Sequence, residues 1–363
     1  MNGILIIDKP QNMTSHDVVS ILRKKTGIKK IGHSGTLDPM ATGVLPVFIG
    51  KATRIIEFSS IPGDPEAKIY ICRMKLGIET NTQDIWGSPL NDSKSSNSID
   101  SITFHGSPES FSSRVSFKMP EEEEILCVLK GFEGPGTQRP PMYSSVKVDG
   151  RKLYEYARKG QSPDSSKIKE REIYIKQIYV NHIIPETGDV EFDVHCSKGV
   201  YIRTLCADAG RKLGCGAVMS GLRRIKSDGF CIEDAVQLDQ IDQIEHIDQL
   251  EQLNQSKKTN HIEKCGTSKV RLFSVDAPLE WMPRIDLPTQ TANRFIVGQK
   301  IDLLTLENSF REYLTDDDNS AFTDKHKAAH ANNPIVRVYC ESSFLGVGKV
   351  IENSLLKPEK VLV

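Results

Sequence analysis

No apolar run in these 363 residues reaches the roughly 18 positions a membrane helix needs. Eight cysteines are present, yet none forms a Cys-x-x-Cys pair and none stands beside a His pair at zinc spacing. That pattern argues against a metal centre and for reduced, mostly buried thiols. Neither a P-loop nor a dinucleotide-binding glycine spacing occurs. No second base is positioned to complete a Ser/His/Asp system. The first residues lack the basic start, long apolar core and small-residue cleavage site of a secretory signal, so a cytoplasmic location is expected. There is no internal repeat.

Charge of one sign is also missing overall, because the formal net charge is −1. Its distribution is less even. Residues 1–60 carry eight Lys/Arg against four Asp/Glu, and residues 138–226 carry seventeen against ten. Residues 227–260 carry two against eight. A basic face can bind phosphates whatever the total, although solvated surfaces are often charged too. The length suits about two or three domains.

The periodicity places an opening buried strand at residues 3–7 and a helix after Thr14-Ser15-His16-Asp17, a capping-box pattern, with Gly27 as its stop. Lys24, Lys25, Lys29 and Lys30 leave that helix end, as dipole-matched surface or as phosphate contacts. A short helix is expected at 51–58 and a strand at 68–76, with Tyr70, Cys72, Met74 and Leu76 sharing one face. Helices follow at 121–132 and 152–159, the second displaying Tyr154, Tyr156 and Arg158, with a Gly/Pro-rich loop at 134–148 between them. Strands at 173–180 and 190–197 precede a helix carrying Ile202, Leu205, Cys206, Ala209 and Leu213 on one face, ended by Gly214. Three polar segments interrupt the chain: an exposed insertion at 88–118, an acidic helix and connector at 237–270, and residues 306–334. From about residue 284 the pattern changes to short strands, clearest at 297–301, 336–339 and 345–351. The expected domains are therefore 1–280 and a small β-rich 284–363.

Chemistry concentrates in Gly32-His33-Ser34-Gly35-Thr36-Leu37-Asp38-Pro39-Met40-Ala41-Thr42-Gly43. Pro39 biases Asp38 away from helix, and the glycines permit tight turns and close approach of a ligand. A carboxylate held this way can act as nucleophile, base or acceptor, or can simply satisfy a local backbone bond. Arg203 can pair with a buried carboxylate and keep it ionised, or lie on the surface. Tyr70 can be core, or can stack on a base. His33 can be a loop hydrogen-bonding residue.

The loop resembles the signature of the TruB family of tRNA pseudouridine synthases. The likeness extends in order through Gly3–Lys9 with Pro10 and Thr14-Ser15, through Lys68-Ile69-Tyr70, and through Leu76-Gly77-Ile78-Glu79-Thr80-Asn81-Thr82-Gln83-Asp84-Ile85-Trp86-Gly87. It continues in Gln138 to Lys147, in His195-Cys196-Ser197-Lys198-Gly199-Val200-Tyr201-Ile202-Arg203-Thr204-Leu205, and in Leu222-Arg223-Arg224. The tail through Phe344-Leu345-Gly346-Val347-Gly348 resembles a PUA domain, a small RNA-binding β-barrel. The resemblance implies an α+β fold: a mixed, largely antiparallel sheet in the catalytic domain, with a PUA-like barrel after it. It implies Asp38 as catalytic nucleophile, Tyr70 stacking on the target base and assisting proton removal, and Arg203 paired with Asp38. Tyr201 and Leu222 would line the uridine pocket, with His33 beside the flipped nucleotide. The implied reaction converts uridine 55 in the T loop of tRNA to pseudouridine, by a covalent or a glycal route. It involves no redox change, so no cofactor and no metal are expected. The implied partner is the tRNA T arm, bound by a monomer without a membrane. A guide-RNA-dependent enzyme and a tRNA-folding chaperone are the alternatives.

Overall fold

A computed structural model describes residues 1–90, 117–243, 270–306 and 334–362, apart from Asn353. Most of the expected insertion at 88–118, of the acidic helix and connector at 237–270, and of the interruption at 306–334 lies outside the described residues. In chain order the elements are β1 (Gly3–Lys9), α1 (Ser15–Thr26), β2 (Ile31–His33), β3 (Thr42–Ile49), a 3-10 segment (Gly50–Phe58), β4 (Lys68–Leu76), α2 (Glu122–Lys130) and β5 (Gly134–Gln138). They continue with β6 (Lys147–Val148), β7 (Arg151–Lys152), α3 (Leu153–Ala157), β8 (Arg171–Ile184), β9 (Asp189–Cys196), α4 (Ile202–Lys212), β10 (Ala217–Ser227) and β11 (Phe230–Cys231). The last are β12 (Arg284–Asp286), α5 (Thr289–Ile296), β13 (Ile301–Asp302), β14 (Ile335–Cys340), β15 (Ser343–Ile351) and β16 (Leu355–Val361). Among the described residues no helix is long and apolar enough to cross a membrane.

The chain forms two compact units, Met1–Asp64 with Lys226–Val363, and Pro65–Ile225. In the first, β1 runs antiparallel to β3 from Gly3 opposite Ile49 to Lys9 opposite Gly43, and β2 also pairs with β3. Every residue of β1 is buried, because both of its faces are covered. Leu5 and Ile7 join Val18, Leu22 and Val47 in one cluster, whereas Ile4 and Ile6 join Phe48, Ile55, Leu279 and Met282 in another. Apolar burial on both faces explains the continuous run Ile4-Leu5-Ile6-Ile7. The capping box of α1 is formed as expected: the Asp17 N–H donates to Thr14 Oγ1 and the Thr14 N–H to Asp17 Oδ2. Gly27 closes the helix at φ 69°.

The C-terminal part of this unit is a five-stranded sheet ordered β12-β14-β15-β16-β13, parallel only between β12 and β14. Phe295, Val336, Val338 and Leu356 lie in its core. The strand expected at 297–301 is not there. The preceding residues form α5, which buries Ala292 and Phe295 at helical spacing, and the chain turns at Gly298 with φ 85°. Only Ile301–Asp302 pairs as a strand.

The second unit orders its strands β10-β4-β9-β8-β5. β4 lies antiparallel to β9, with Tyr70 opposite Val194 and Cys72 opposite Phe192. Tyr70, Cys72, Met74 and Leu76 are buried as the alternation requires. The expected loop at 134–148 begins instead as β5, whose backbone pairs with β8 despite its Gly and Pro content. Thiol burial is narrower than expected: Cys72, Cys196 and Cys206 are buried, Cys127 is exposed, and Cys215, Cys231 and Cys340 are intermediate.

Candidate active site

Asp38 sits between two anchors in the first unit. Leu37, Met40 and Ala41 are buried, while Asp38 is partly exposed and Pro39 exposed. The loop leaves β2 with the Ser34 N–H donating to the Pro46 carbonyl at 3.1 Å, and it closes with the Ala41 N–H on the Asp38 carbonyl at 3.0 Å. Gly35 at φ 65° and Gly43 at φ 100° supply the left-handed backbone that the two bends need. Beneath it lies Lys9, fully buried, whose Nζ donates to the carbonyls of Pro10 at 2.8 Å, Met13 at 2.6 Å and Pro39 at 3.4 Å. A buried ammonium is costly unless its protons are accepted, so Lys9 ties the loop to the residues that enter α1. His33 ends β2 opposite Val47 and is partly exposed.

The second unit carries Tyr70, Tyr201, Arg203 and Leu222. Tyr70 is buried on β4, and Leu222 is partly exposed on β10. Arg203 opens α4 and is buried. Its guanidinium donates to the Thr82 carbonyl at 2.9 Å and to the Tyr143 carbonyl at 2.7 Å, and it stands 3.7 Å from Asp84 Oδ2. Asp84 in turn accepts from Thr82 Oγ1 at 2.8 Å and from the Trp86 N–H at 3.1 Å. The turn is braced against β10 by the Ile85 N–H on the Met219 carbonyl and the Met219 N–H on the Gln83 carbonyl. Gly87 is required where it stands, since a Cβ there would meet Thr82 Oγ1 at 2.2 Å.

Two residues that the sequence reading did not assign belong to this geometry. Asp84 is a carboxylate that the structure places beside Arg203. Gln138, at the end of β5, bonds the Tyr201 backbone twice. The Thr80-Asn81-Thr82-Gln83-Asp84 turn carried a signal for the first, since hydroxyls spaced around an Asp are the makings of a self-bonded turn. Nothing local marked the second. Of the basic residues, Lys25 is turned inward, with its Nζ on the Leu238 carbonyl at 3.0 Å. Tyr154 instead carries cations on its ring, Lys152 at 5.4 Å and Arg158 at 5.2 Å.

Comparison with known proteins bears on the whole chain. Residues 23–202 match the model of the TruB family pseudouridylate synthase N-terminal domain. Residues 203–262 match the tRNA pseudouridylate synthase B C-terminal domain, and residues 283–362 match the pseudouridine synthase II TruB C-terminal model. The chain belongs to the TruB family. It is 45% identical over 241 residues to the tRNA pseudouridine synthase B of Alkaliphilus oremlandii, covering 66% of this chain and 70% of that one. The protein of the same name from Syntrophomonas wolfei is 39% identical over 302 residues, covering 83% and 85%. Among solved structures, a Cbf5-Nop10-Gar1 complex matches with a TM-score of 0.62 at 22% identity, over 99% of this chain and 85% of that one. At that identity the likeness is one of fold: a mixed sheet with helices, followed by a C-terminal sheet consistent with a PUA-like domain.

Proposed function

We propose that this TruB-family chain isomerises uridine to pseudouridine in tRNA, at position 55 of the T loop, acting as a monomer without a guide RNA. The observation that carries the reading is the 36–45% identity to several proteins named tRNA pseudouridine synthase B. The likeness to the Cbf5 and H/ACA RNP structures is 20–22% and extends to fold alone.

In this reading Asp38 is the nucleophile. A partly exposed carboxylate between buried anchors is accessible to a nucleotide yet costs little entropy to aim. Arg203 supplies a positive charge to pair with that carboxylate. Tyr70 stacks on the target base, Tyr201 and Leu222 line its pocket, and His33 lies beside the flipped nucleotide. Turning a base out of its stack costs on the order of a few kcal/mol. Stacking on one aromatic ring returns roughly 1–3 kcal/mol, and phosphate contacts supply the remainder. The T arm is the part of tRNA recognised, and the C-terminal sheet within 284–363 adds RNA contact.

The test is single-turnover conversion of an unguided T-arm hairpin by the purified protein. Pseudouridine is expected from the natural chain and none from Asp38→Asn, with hairpin binding retained. No product without a guide RNA overturns the stand-alone reading; product from Asp38→Asn overturns the assignment of Asp38.

A further inference from the structure

We infer that Gln138 is a positioning residue for the uridine pocket, holding the start of α4 so that Tyr201 and Arg203 keep their directions. The inference rests on the function proposed above and adds to it a residue with no assigned role.

Gln138 is the last residue of β5 and is only 5% exposed. Its Oε1 accepts from the Tyr201 N–H at 2.7 Å, and its Nε2 donates to the Tyr201 carbonyl at 3.0 Å. One side-chain amide thus brackets both backbone groups of one residue, as a neighbouring strand would. Tyr201 is the N-cap of α4, at φ −95° and ψ 106°, and its own side chain makes no capping bond. Its carbonyl also accepts from the Leu205 N–H at 3.1 Å, the first bond of the helix. The amide of Gln138 therefore joins the helix start to the edge of the sheet.

The chain before Tyr201 offers little restraint of its own. Gly199 stands at φ 91° with open space where a Cβ would lie. After Tyr201, the segment that begins at Gln138 reaches α4 again, because the Tyr143 carbonyl accepts from Arg203. Residues 138–143 thus hold the first turn of α4 at two points, one on backbone and one on the guanidinium. Of the two, only Gln138 sets the backbone from which the Tyr201 side chain departs. An aromatic wall and a guanidinium act by placement, and displacement of about 1 Å is enough to cost on the order of 100-fold in rate.

Gln138→Met keeps the volume and removes both bonds. Gln138→Glu keeps the acceptor and, ionised, loses the donor. The natural protein and both variants are assayed with the T-arm hairpin, and amide exchange is followed across α4. The expected order of single-turnover rates is Gln, then Glu, then Met, with Met slower by about 10- to 100-fold and hairpin affinity within about threefold. Faster exchange at the first turn of α4 in Gln138→Met is expected alongside. Unchanged exchange there overturns the clamp, whatever the activity. A lowered melting temperature with an unchanged single-turnover rate overturns the positioning role and leaves Gln138 structural. Failure of the natural protein to convert the hairpin overturns the proposed function separately, and the exchange result still decides whether the clamp exists.

Discussion

Ser15 and Leu37 exchange two hydrogen bonds. The Leu37 N–H donates to Ser15 Oγ at 2.9 Å, and the Ser15 hydroxyl donates back to the Leu37 carbonyl at 3.2 Å. Ser15 is the first residue of α1, and Leu37 immediately precedes Asp38. One buried hydroxyl therefore ties the helix start to the peptide that carries the candidate nucleophile. It does so with the same two-bond bracket that Gln138 forms on Tyr201.

Ser15→Ala leaves both Leu37 groups without that partner in a buried place. Orphaning a buried polar group costs about 1–3 kcal/mol. Urea unfolding is expected to show a loss in that range. Single-turnover pseudouridine formation should fall more than hairpin affinity, because Asp38 loses its anchor while other RNA contacts remain. An unchanged rate sinks the anchoring role.

Asp84→Asn removes a charge beside Arg203. Breaking a buried ion pair costs about 3–5 kcal/mol when the survivor is left alone. Here Arg203 keeps two carbonyl acceptors, so the lower end, about 3 kcal/mol, is expected in denaturant titration. The pseudouridylation rate should fall as well, as the guanidinium is freed from one side. A variant as stable and as fast as the natural protein removes Asp84 from the site.

The capping box makes a prediction about acid. The hydroxyl and backbone of Thr14 hold the Asp17 carboxyl below its ordinary 3.8. A lowered folded value means the unfolded chain binds the proton more readily, so the stabilisation is present above about pH 4 and is lost as pH falls through the lowered value. Thr14→Ala should cost about 1 kcal/mol at neutral pH and less at pH 3. Equal costs at both values reject the ionised box.

The thiols make one about base. Burial pushes the Cys196 thiol up to about 12 and the Cys72 thiol well up, Cys72 also facing Cys206 Sγ at 3.5 Å. Raised folded values mean that stability is full below the ordinary 9.0 of a thiol and declines as pH rises beyond it. A thiol-exchange reagent at pH 8 should modify exposed Cys127 first and reach Cys72, Cys196 and Cys206 only on unfolding. Early labelling of Cys196 in the native protein contradicts its burial.

Much of this was legible in residue order, for local reasons. The Thr14/Asp17 cap, the Gly27 stop, the alternation that buries Tyr70 and the helix after Tyr201 each depend on neighbours within four positions. Chain order of the motifs also led to the TruB family, which comparison with relatives bears out. Local signals failed where a distant partner decided the conformation. Gly134–Gln138 is a strand because β8 completes it, and α5 is a helix because Ala292 and Phe295 face a core built by β14 and β16. Lys9 is buried despite its charge, and its ammonium donates to the carbonyls of Pro10, Met13 and Pro39. Sequence by itself determined most of the elements, the family and the candidate residues, since periodicity, capping and motif order are written in short stretches. Tertiary structure alone decided that Ser15 holds Leu37, Asp84 stands beside Arg203 and Gln138 grips Tyr201, because a hydrogen bond depends on distance in space and each pair is separated by 22 or more positions along the chain.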